Sequence, residues 1–240
     1  MQKEIYQLSK EEVLNLLQTD EEAGLTEGEA QRRLLLYGPN ELREERHRLP
    51  LLIFLRQFAD LLIIVLLAAA VISLATGEIT DFTVIMAVLI LNALMGFIQE
   101  YRAEKAVQAL KRMATPYARV IRDGQIKEIP STQIVPGDII LLETGMIVPA
   151  DGRLIEAINL QVDESSLSGE SLPVEKNCEP ISEEGVPLTE LSNLVFSGTI
   201  ITSGHGKAVV FNTGMQTEMG KITKLIQESG EKKTPLQERM

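Results

Sequence analysis

The sequence predicts an α+β membrane protein in which a two-span transmembrane helical hairpin joins N-terminal helices to a small β-rich domain. Three observations support this fold class. Two uncharged apolar runs cover residues 61–75 and 82–98, and with their flanks each approaches the roughly 20 residues that cross a bilayer core. Two segments before residue 40 carry apolar side chains at helical spacing. From Tyr117 onward the apolar period changes to two, which is typical of half-buried β-strands.

The composition limits the classes of function. The 240 residues are enough for one or two domains. A formal net charge of −11 argues against a general nucleic-acid-binding role. The one cysteine, Cys178, excludes an intrachain disulfide framework and fits a reducing compartment. The first residues, MQKEIYQLSKEE, contain no apolar core of a signal peptide, and the ending KKTPLQERM, which has no turn or cap, predicts that the chain continues in a longer protein.

Capping signals predict two short N-terminal helices. Ser9 with Glu12, and Thr26 with Glu29, have the spacing of a capping box, in which the two side chains bond each other's backbone amides. The second helix is predicted to stop at Gly38, which precedes a proline. Taken alone, these residues favour a helical hairpin that only packs.

The charges around the apolar runs predict a hairpin with both ends in the cytoplasm. The connector TGEITD contains two acidic and no basic residues, whereas basic residues precede the first run and follow the second. These basic residues are Arg43, Arg46, Arg48 and Arg56, then Arg102, Lys105, Lys111 and Arg112. The alternative is a pair of buried helices in a large soluble domain, but the neighbouring sequence cannot supply a core of that size. Asp60, at the start of the first span, is placed at the interface and is a candidate ion-path residue.

The second half of the chain predicts a β-sandwich or barrel-like domain. Asp123-Gly124 lies between two alternating segments and predicts a β-hairpin. Further strands are predicted within 136–145, 152–162, 193–201 and 206–212, with GHGK at 204–207 as a hairpin turn. Residues 219–229 return to a helical pattern.

Conventional nucleotide and metal motifs are missing from the sequence. The segment GMQTEMGKI, 214–222, has the wrong glycine spacing for a phosphate-binding loop and lacks its Ser or Thr, so a strand-to-helix turn is favoured. His47 and His205 lie far apart, and no Cys/His spacing predicts a metal site.

The stretch SLSGES, 166–171, is the candidate chemical site. Gly169 allows a tight turn with positive φ, and Ser168 and Ser171 can bond the backbone around it. Glu170 is therefore predicted to stand at an exposed loop tip. One interpretation is a solvated turn between strands. The other is a carboxylate that positions or deprotonates a water molecule, with an electrophile supplied from outside the chain.

Four motifs in order resemble the N-terminal part of a P-type cation-transporting ATPase of the calcium-pump-like subfamily. PGDII (136–140), PADGRLIEA (149–157), VDESSLSGESLPVEK (162–176) and TGMQTEMGKI (213–222) are similar to its actuator domain. GLTEGEAQRRLLLYGPNEL (24–42) resembles its N-terminal cation-ATPase segment. RQFADLLIIVLLAAAVIS and NALMGFIQEYRAEKAVQAL resemble its first two membrane spans. The resemblance covers almost the whole chain.

The resemblance implies four regions. Residues 1–49 form the N-terminal helical segment, and residues 50–115 form the transmembrane hairpin with a cytoplasmic helical extension. Residues 116–230 form an actuator domain with a distorted jelly-roll-like fold. Residues 231–240 lead toward a third span outside the chain.

In this family an aspartate in a separate phosphorylation domain attacks ATP, and the actuator loop later brings in a glutamate that aligns the hydrolytic water. By this resemblance Glu170 positions the water, Gly169 lets the loop approach the phosphate, and Ser168 and Ser171 shape the loop. Ser168 replaces the family's more usual threonine but keeps the hydroxyl. Ala59 stands where reticulum-type calcium pumps often carry a glutamate, which puts the details of the ion gate in doubt.

The resemblance also implies what must lie elsewhere. The sequence contains no DKTGT phosphorylation motif, nucleotide domain or later spans, so this chain alone is expected to be inactive and to bind neither ATP nor Mg²⁺. The expected partners are the lipid bilayer, the remainder of the pump and the transported cation. The expected location is a multi-pass position in the cell (plasma) membrane, with cytoplasmic soluble parts. The alternatives are a pump for Na⁺, K⁺ or H⁺, and a membrane-anchored β-domain that only binds partners.

Overall fold

The computed structural model describes residues 4–42, 61–113, 116–170 and 172–230. The chain divides into two compact units. One unit, here called the helical unit, comprises residues 44–114. The other, the sheet unit, combines residues 1–43 with residues 115–240. The N-terminal helices thus belong to the same unit as the β-strands, although the helical unit separates them in sequence.

In its described residues, 61–113, the helical unit contains two helices that contact each other, α3 (Leu61–Ala75) and α4 (Ile79–Met113). Among the described residues, one helical stretch, Ile79–Ala103, is long and apolar enough to cross a membrane. Ile63–Ala75 is apolar but shorter. Helix α4 also continues through the predicted extension at 99–113. The helices are confirmed, whereas the two-span hairpin is not established by helix length, and Asp60 lies outside the described residues.

Helices α1 (Lys10–Leu16) and α2 (Glu27–Tyr37) open the sheet unit. The capping box at Ser9 is confirmed, since Ser9 and Glu12 each bind the other's backbone amide. The Thr26 hydroxyl accepts from the Glu29 amide as predicted. The Glu29 carboxylate, predicted to reach back to Thr26, accepts instead from Arg33 Nε at 2.8 Å and from Arg32. Helix α2 ends where Gly38 adopts a φ of 80°.

Within the described part of the chain, seven antiparallel strands form one sheet in the order β2-β1-β3-β7-β4-β5, with β6 also paired to β4. The bounds are β1 Tyr117–Arg122, β2 Gln125–Pro130, β3 Ile139–Glu143, β4 Asp151–Asp163, β5 Val174–Glu175, β6 Leu194–Val195 and β7 Ile200–Asn212. The predicted hairpin at Asp123-Gly124 is confirmed, with positive φ at both residues. The main core lies against this sheet and includes Val120, Ile140, Leu154, Leu160, Val162, Ile201 and Val210.

The predicted hairpin turn at GHGK is wrong. Strand β7 runs through these residues and pairs with β3 on one side and β4 on the other. A Cβ at Gly204 would lie 2.2 Å from the Asn159 carbonyl oxygen, and a Cβ at Gly206 would lie 2.4 Å from the Glu156 carbonyl oxygen. These glycines therefore permit close approach of two backbones at the β4–β7 register shifts. The segment predicted as one strand over 193–201 is likewise only strand β6 and the start of β7.

Buried polar side chains attach the N-terminal segment to the sheet. The fully buried Arg153 donates to the carbonyls of Leu8 and Cys178, both at 3.1 Å. The buried Asn193 donates to the Tyr6 carbonyl at 2.8 Å. If the N-terminal segment moved away, these buried donors would lose their partners, which costs free energy in a dry interior. Their hydrogen bonds therefore hold the segment in a defined position.

A second polar connection lies at the end of this segment. The Asn40 side chain donates to the carbonyls of Ser131 and Pro149 and accepts from the Gly214 amide at 2.8 Å. Asn40 thus joins the N-terminal segment to three separate loops of the sheet unit.

Asp151 joins β4 to helix α6, which is the short helix Glu218–Gly230 and confirms the helix predicted at 219–229. Its two carboxylate oxygens accept from the amides of Ser197 and Glu218, at 2.9 and 2.8 Å. The carboxyl is fully buried. Burial raises the pKa of Asp151 from 3.8 to about 6, although both hydrogen bonds favour the charged form.

This raised pKa predicts a pH-dependent stability. The folded state binds a proton at Asp151 more tightly than the unfolded state. Protonated Asp151 therefore contributes to the free energy of unfolding below about pH 4, and this contribution is lost as the pH rises through 6. Since a pKa difference of one corresponds to ~1.4 kcal/mol, the loss is about 3 kcal/mol. Urea unfolding of the chain in detergent, with and without Asp151→Asn, is expected to show the parent losing this amount relative to the variant between pH 4 and 7. A difference that stays constant over this range would contradict the assignment.

Candidate functional site

The candidate site is a turn that follows the long strand β4. A single helical turn, α5 (Ser165–Ser168), begins after Glu164, whose backbone carbonyl accepts from the amides of Leu167 and Ser168. Gly169 ends this turn with φ 77° and ψ −1°, and its amide donates to the Ser165 carbonyl. The predicted positive φ at Gly169 is confirmed, and it is the left-handed conformation that glycine adopts without steric cost.

Ser168 holds the turn through both functions of its hydroxyl. Its Oγ donates to the Glu164 carbonyl at 3.1 Å and accepts from the Glu170 amide, also at 3.1 Å. This confirms the predicted backbone bonding by Ser168 and needs only a hydroxyl, which both serine and threonine have. Ser171, the other predicted serine, lies outside the described residues.

The tip of the turn is open to solvent. Gly169 and Glu170 are both exposed, and a Cβ built at Gly169 would meet no atom within 4 Å. Leu172, just beyond, has 80% of its surface exposed. The Glu170 carboxylate is therefore free to approach a group outside the sheet unit, and the bare Gly169 backbone allows close contact.

The base of the turn is held by acidic residues that precede it. Asp163 Oδ1 accepts from the Ser165 amide at 2.9 Å, and hydrogen bonds from the Ser165 side chain and amide lower the pKa of Asp163. The next residue, Glu164, is buried and forms an ion pair with the buried Lys176 at 2.6 Å. The sequence interpretation missed this pair, although both residues lie within VDESSLSGESLPVEK.

The other motif considered from the sequence as a phosphate-binding loop, GMQTEMGKI, forms part of the fold. In GMQTEMGKI, residues Gly214–Gln216 form a 3₁₀ turn before α6, which confirms the strand-to-helix turn. Among the described residues, no group of three His, Cys, Asp or Glu side chains could hold a metal ion. An exposed carboxylate on a hydrogen-bonded turn is the feature that can act chemically, by orienting or deprotonating a water.

Two family models match the chain. The model of the P-type ATPase actuator domain matches residues 112–227. The model of the cation transporter/ATPase N-terminus matches residues 5–73. Together they cover the turn, most of the sheet unit and helices α1 to α3.

Curated relatives match nearly the whole chain. A calcium-transporting ATPase of Bacillus subtilis is 42% identical over 98% of the chain and 26% of its own length. Calcium-transporting ATPase 1 of Bacillus cereus is 46% identical over 97% of the chain and 27% of its own length. A sodium/potassium exporting P-type ATPase of Schizosaccharomyces pombe is 41% identical over 86% of the chain and 20% of its own length. The chain spans about a quarter of the length of the curated relatives it matches, and it belongs to the P-type cation-transporting ATPase family.

Proposed function

We propose that this chain is the N-terminal part of an ATP-driven calcium pump, and that its SGES turn drives hydrolysis of an aspartyl phosphate formed in another domain of that pump. The observation that carries the proposal is the exposed Glu170 on the left-handed turn at Gly169. An exposed tip alone also fits a solvated turn; the support for the proposal is that this tip follows a buried Glu164–Lys176 ion pair and lies within the residues matched by the actuator-domain model.

The roles of the individual residues follow from their positions. Glu170 aligns and polarises the attacking water, because its carboxylate stands at the exposed end of the turn. Gly169 lets the turn come close to the phosphoryl group without a side chain in between. Ser168 fixes the direction of Glu170 by accepting from its amide. Ser171 has the proposed role of shaping the far side of the turn.

Members of this family use ATP and Mg²⁺ in the full-length protein. We place both outside this chain, in the phosphorylation and nucleotide domains that the chain is proposed to meet. The sequence lacks their DKTGT motif, and the described residues offer no cluster of metal ligands. The aspartyl phosphate whose hydrolysis Glu170 is proposed to assist is therefore formed in a partner domain.

The membrane arrangement is also a proposal. Residues 50–115 form a two-span hairpin, with residues 1–49, the jelly-roll-like actuator domain at 116–230 and the linker at 231–240 on the cytoplasmic side of the cell membrane. The basic flanks and the acidic connector support this topology. Labelling of Glu78→Cys, in a Cys178→Ala background, from the cytoplasmic side of sealed vesicles would contradict it. Glu78 suits this test because it is exposed, whereas the neighbouring Gly77 has a φ of 82° that cysteine would strain.

Calcium is the proposed cargo because the two Bacillus relatives are named calcium-transporting ATPases. The similarity to a sodium/potassium exporter keeps Na⁺, K⁺ and H⁺ as alternatives. The test is formation of an acid-stable, hydroxylamine-sensitive phosphoenzyme by the full-length protein. Phosphorylation from ATP is expected to require Ca²⁺. Phosphorylation that depends on Na⁺ or K⁺ instead would overturn the calcium assignment, and no phosphoenzyme under any of these ions would favour a binding module.

A further inference from the structure

The loop that carries the SGES turn has little support from the sheet. After the turn the chain returns through β5, which has only the two residues Val174 and Glu175. These pair with Val162 and Gln161 of β4. Two residue pairs, and a bond from the Lys176 amide to the Leu160 carbonyl at 2.9 Å, hold the returning chain to β4, so other interactions also set the direction of the turn.

The buried ion pair described above lies at the two ends of this loop. Lys176 Nζ is 2.6 Å from Glu164 Oε1, and the side chains are 0% and 4% exposed. The same ammonium donates to the Leu191 carbonyl at 3.2 Å and lies 5.8 Å from the centre of the Phe196 ring. Lys176 is thereby fixed to the interior of the sheet unit.

Glu164 transmits this fixed position to the turn. Its backbone carbonyl accepts from the Leu167 amide, the Ser168 amide and the Ser168 hydroxyl, at 2.9 to 3.1 Å. The Ser168 hydroxyl in turn accepts from the Glu170 amide. A continuous series of polar contacts therefore runs from the buried Lys176, through Glu164 and Ser168, to the exposed Glu170.

Stability alone does not account for this pair. Burial raises the pKa of the Glu164 carboxyl and lowers the pKa of the Lys176 ammonium, so the surroundings disfavour both charges. Apolar side chains of similar volume in place of a buried ion pair often leave a protein equally or more stable. What an apolar pair lacks is the 2.6 Å ion pair that ties the Glu164 side chain to the fixed ammonium of Lys176.

We propose that Glu164 and Lys176 are positioning residues, which hold the Ser168–Glu170 turn in the orientation that hydrolyses the phosphoenzyme. This inference rests on the proposed function of Glu170. It assigns to the pair an effect on the rate of dephosphorylation, beyond its effect on folding.

The test replaces the pair by apolar side chains, Glu164→Leu with Lys176→Met, because removal of one partner alone would leave a buried charge. The matched control is Glu156→Leu with Lys207→Met, which makes the same change at the 2.6 Å pair that joins β4 and β7. The full-length protein is phosphorylated from ATP and chased, and its phosphoenzyme decay is followed. Hydrogen exchange at the amides of Leu167, Ser168 and Gly169 is measured in the chain itself.

We expect the Glu164/Lys176 double variant to form phosphoenzyme normally, with a thermal midpoint close to that of the control. Its phosphoenzyme is expected to decay ~10- to 100-fold more slowly, since a displacement of about 1 Å costs on this order. Exchange at the three amides is expected to accelerate. Decay at the parent rate, or decay slowed equally in the control, would overturn the proposal.

Two further variants keep the interpretation secure. Glu164→Asp retains both charges but withdraws the carboxylate by one methylene, and it is expected to slow decay as well. Should the double variant not fold, an unchanged decay rate in Glu164→Asp would overturn the proposal. Glu170→Gln serves as the reference for the proposed function. If Glu170→Gln decays at the parent rate, the proposed function fails, whereas slow decay in Glu170→Gln with parent decay in the pair variants defeats the positioning role alone.

Discussion

Glu170→Gln is expected to yield a phosphoenzyme that forms at the normal rate and then persists. Glutamine keeps the size and polarity of the side chain but loses its basicity. General-base assistance typically contributes ~10²–10⁴-fold to a rate, which corresponds to about 3–5 kcal/mol of activation free energy. The loss is expected to fall on dephosphorylation, because the proposed function assigns phosphoryl transfer from ATP to groups outside this chain. The measurement is phosphoenzyme decay after an ATP chase in the full-length protein.

The position of Glu170 separates mechanism from misfolding. Its side chain is exposed, so expression and thermal midpoint are expected to change little. Gly169→Ala is a useful comparison. A Cβ at this position meets open space, so the substitution destabilises the turn only because alanine is strained at a φ of 77°. If Glu170→Gln decays as fast as the parent, Glu170 is a solvated turn residue and has no part in hydrolysis.

Asp138→Ala is expected to destabilise the sheet unit strongly. The fully buried Asp138 accepts from Arg122 Nε at 2.8 Å, from Arg122 Nη2 at 2.7 Å and from the Val135 amide. Removal of the carboxylate takes away the partner at 2.7 Å and leaves the buried Arg122 guanidinium with the more distant Glu27, at 3.5 Å, and the charge of Asp123. Breaking a buried pair in this way costs about 3–5 kcal/mol. Urea unfolding of the chain in detergent measures this loss.

The matched control is Glu143→Ala, which removes the partner of Arg119; Arg119 and Arg122 both lie on β1, Glu143 ends β3, and Asp138 directly precedes β3. Both side chains of that pair are more than a third exposed. Exposed ion pairs contribute roughly 0–1 kcal/mol, since water screens them. An Asp138→Ala variant that loses no more stability than Glu143→Ala would show that burial does not make this pair important.

Features with a local cause were predictable from the sequence. The cap at Ser9, the end of α2 at Gly38, the hairpin at Asp123-Gly124 and the turn at Gly169 each depend on a few adjacent residues. The chemistry of those residues allows few backbone conformations, so their sequence predicts their structure. The exposure of Glu170 followed from the same local reasoning.

Features with a distant cause were missed. Gly204 and Gly206 resemble turn residues, and only the approach of Asn159 and Glu156 on β4 shows why a continuous strand needs them. An arginine such as Arg153 is usually expected at the surface. Its burial could not be predicted, because the carbonyls that it binds, those of Leu8 and Cys178, lie far away in sequence. The Glu164–Lys176 pair was missed for another reason, since charged residues beside a polar turn are usually solvated.

The attachment of the N-terminal segment has a consequence for the order of folding during synthesis. Leu8 and Tyr6 are synthesised before the side chains that bind them, which belong to residues 145 and 187 positions later. At roughly 5–20 residues per second, the first helices wait on the order of ten seconds or more for Asn193 to be made. During that interval both apolar runs emerge. The sheet unit is therefore completed only after the helical unit has been synthesised. Under the proposed membrane topology, insertion of the apolar helices precedes completion of the unit that carries the SGES turn.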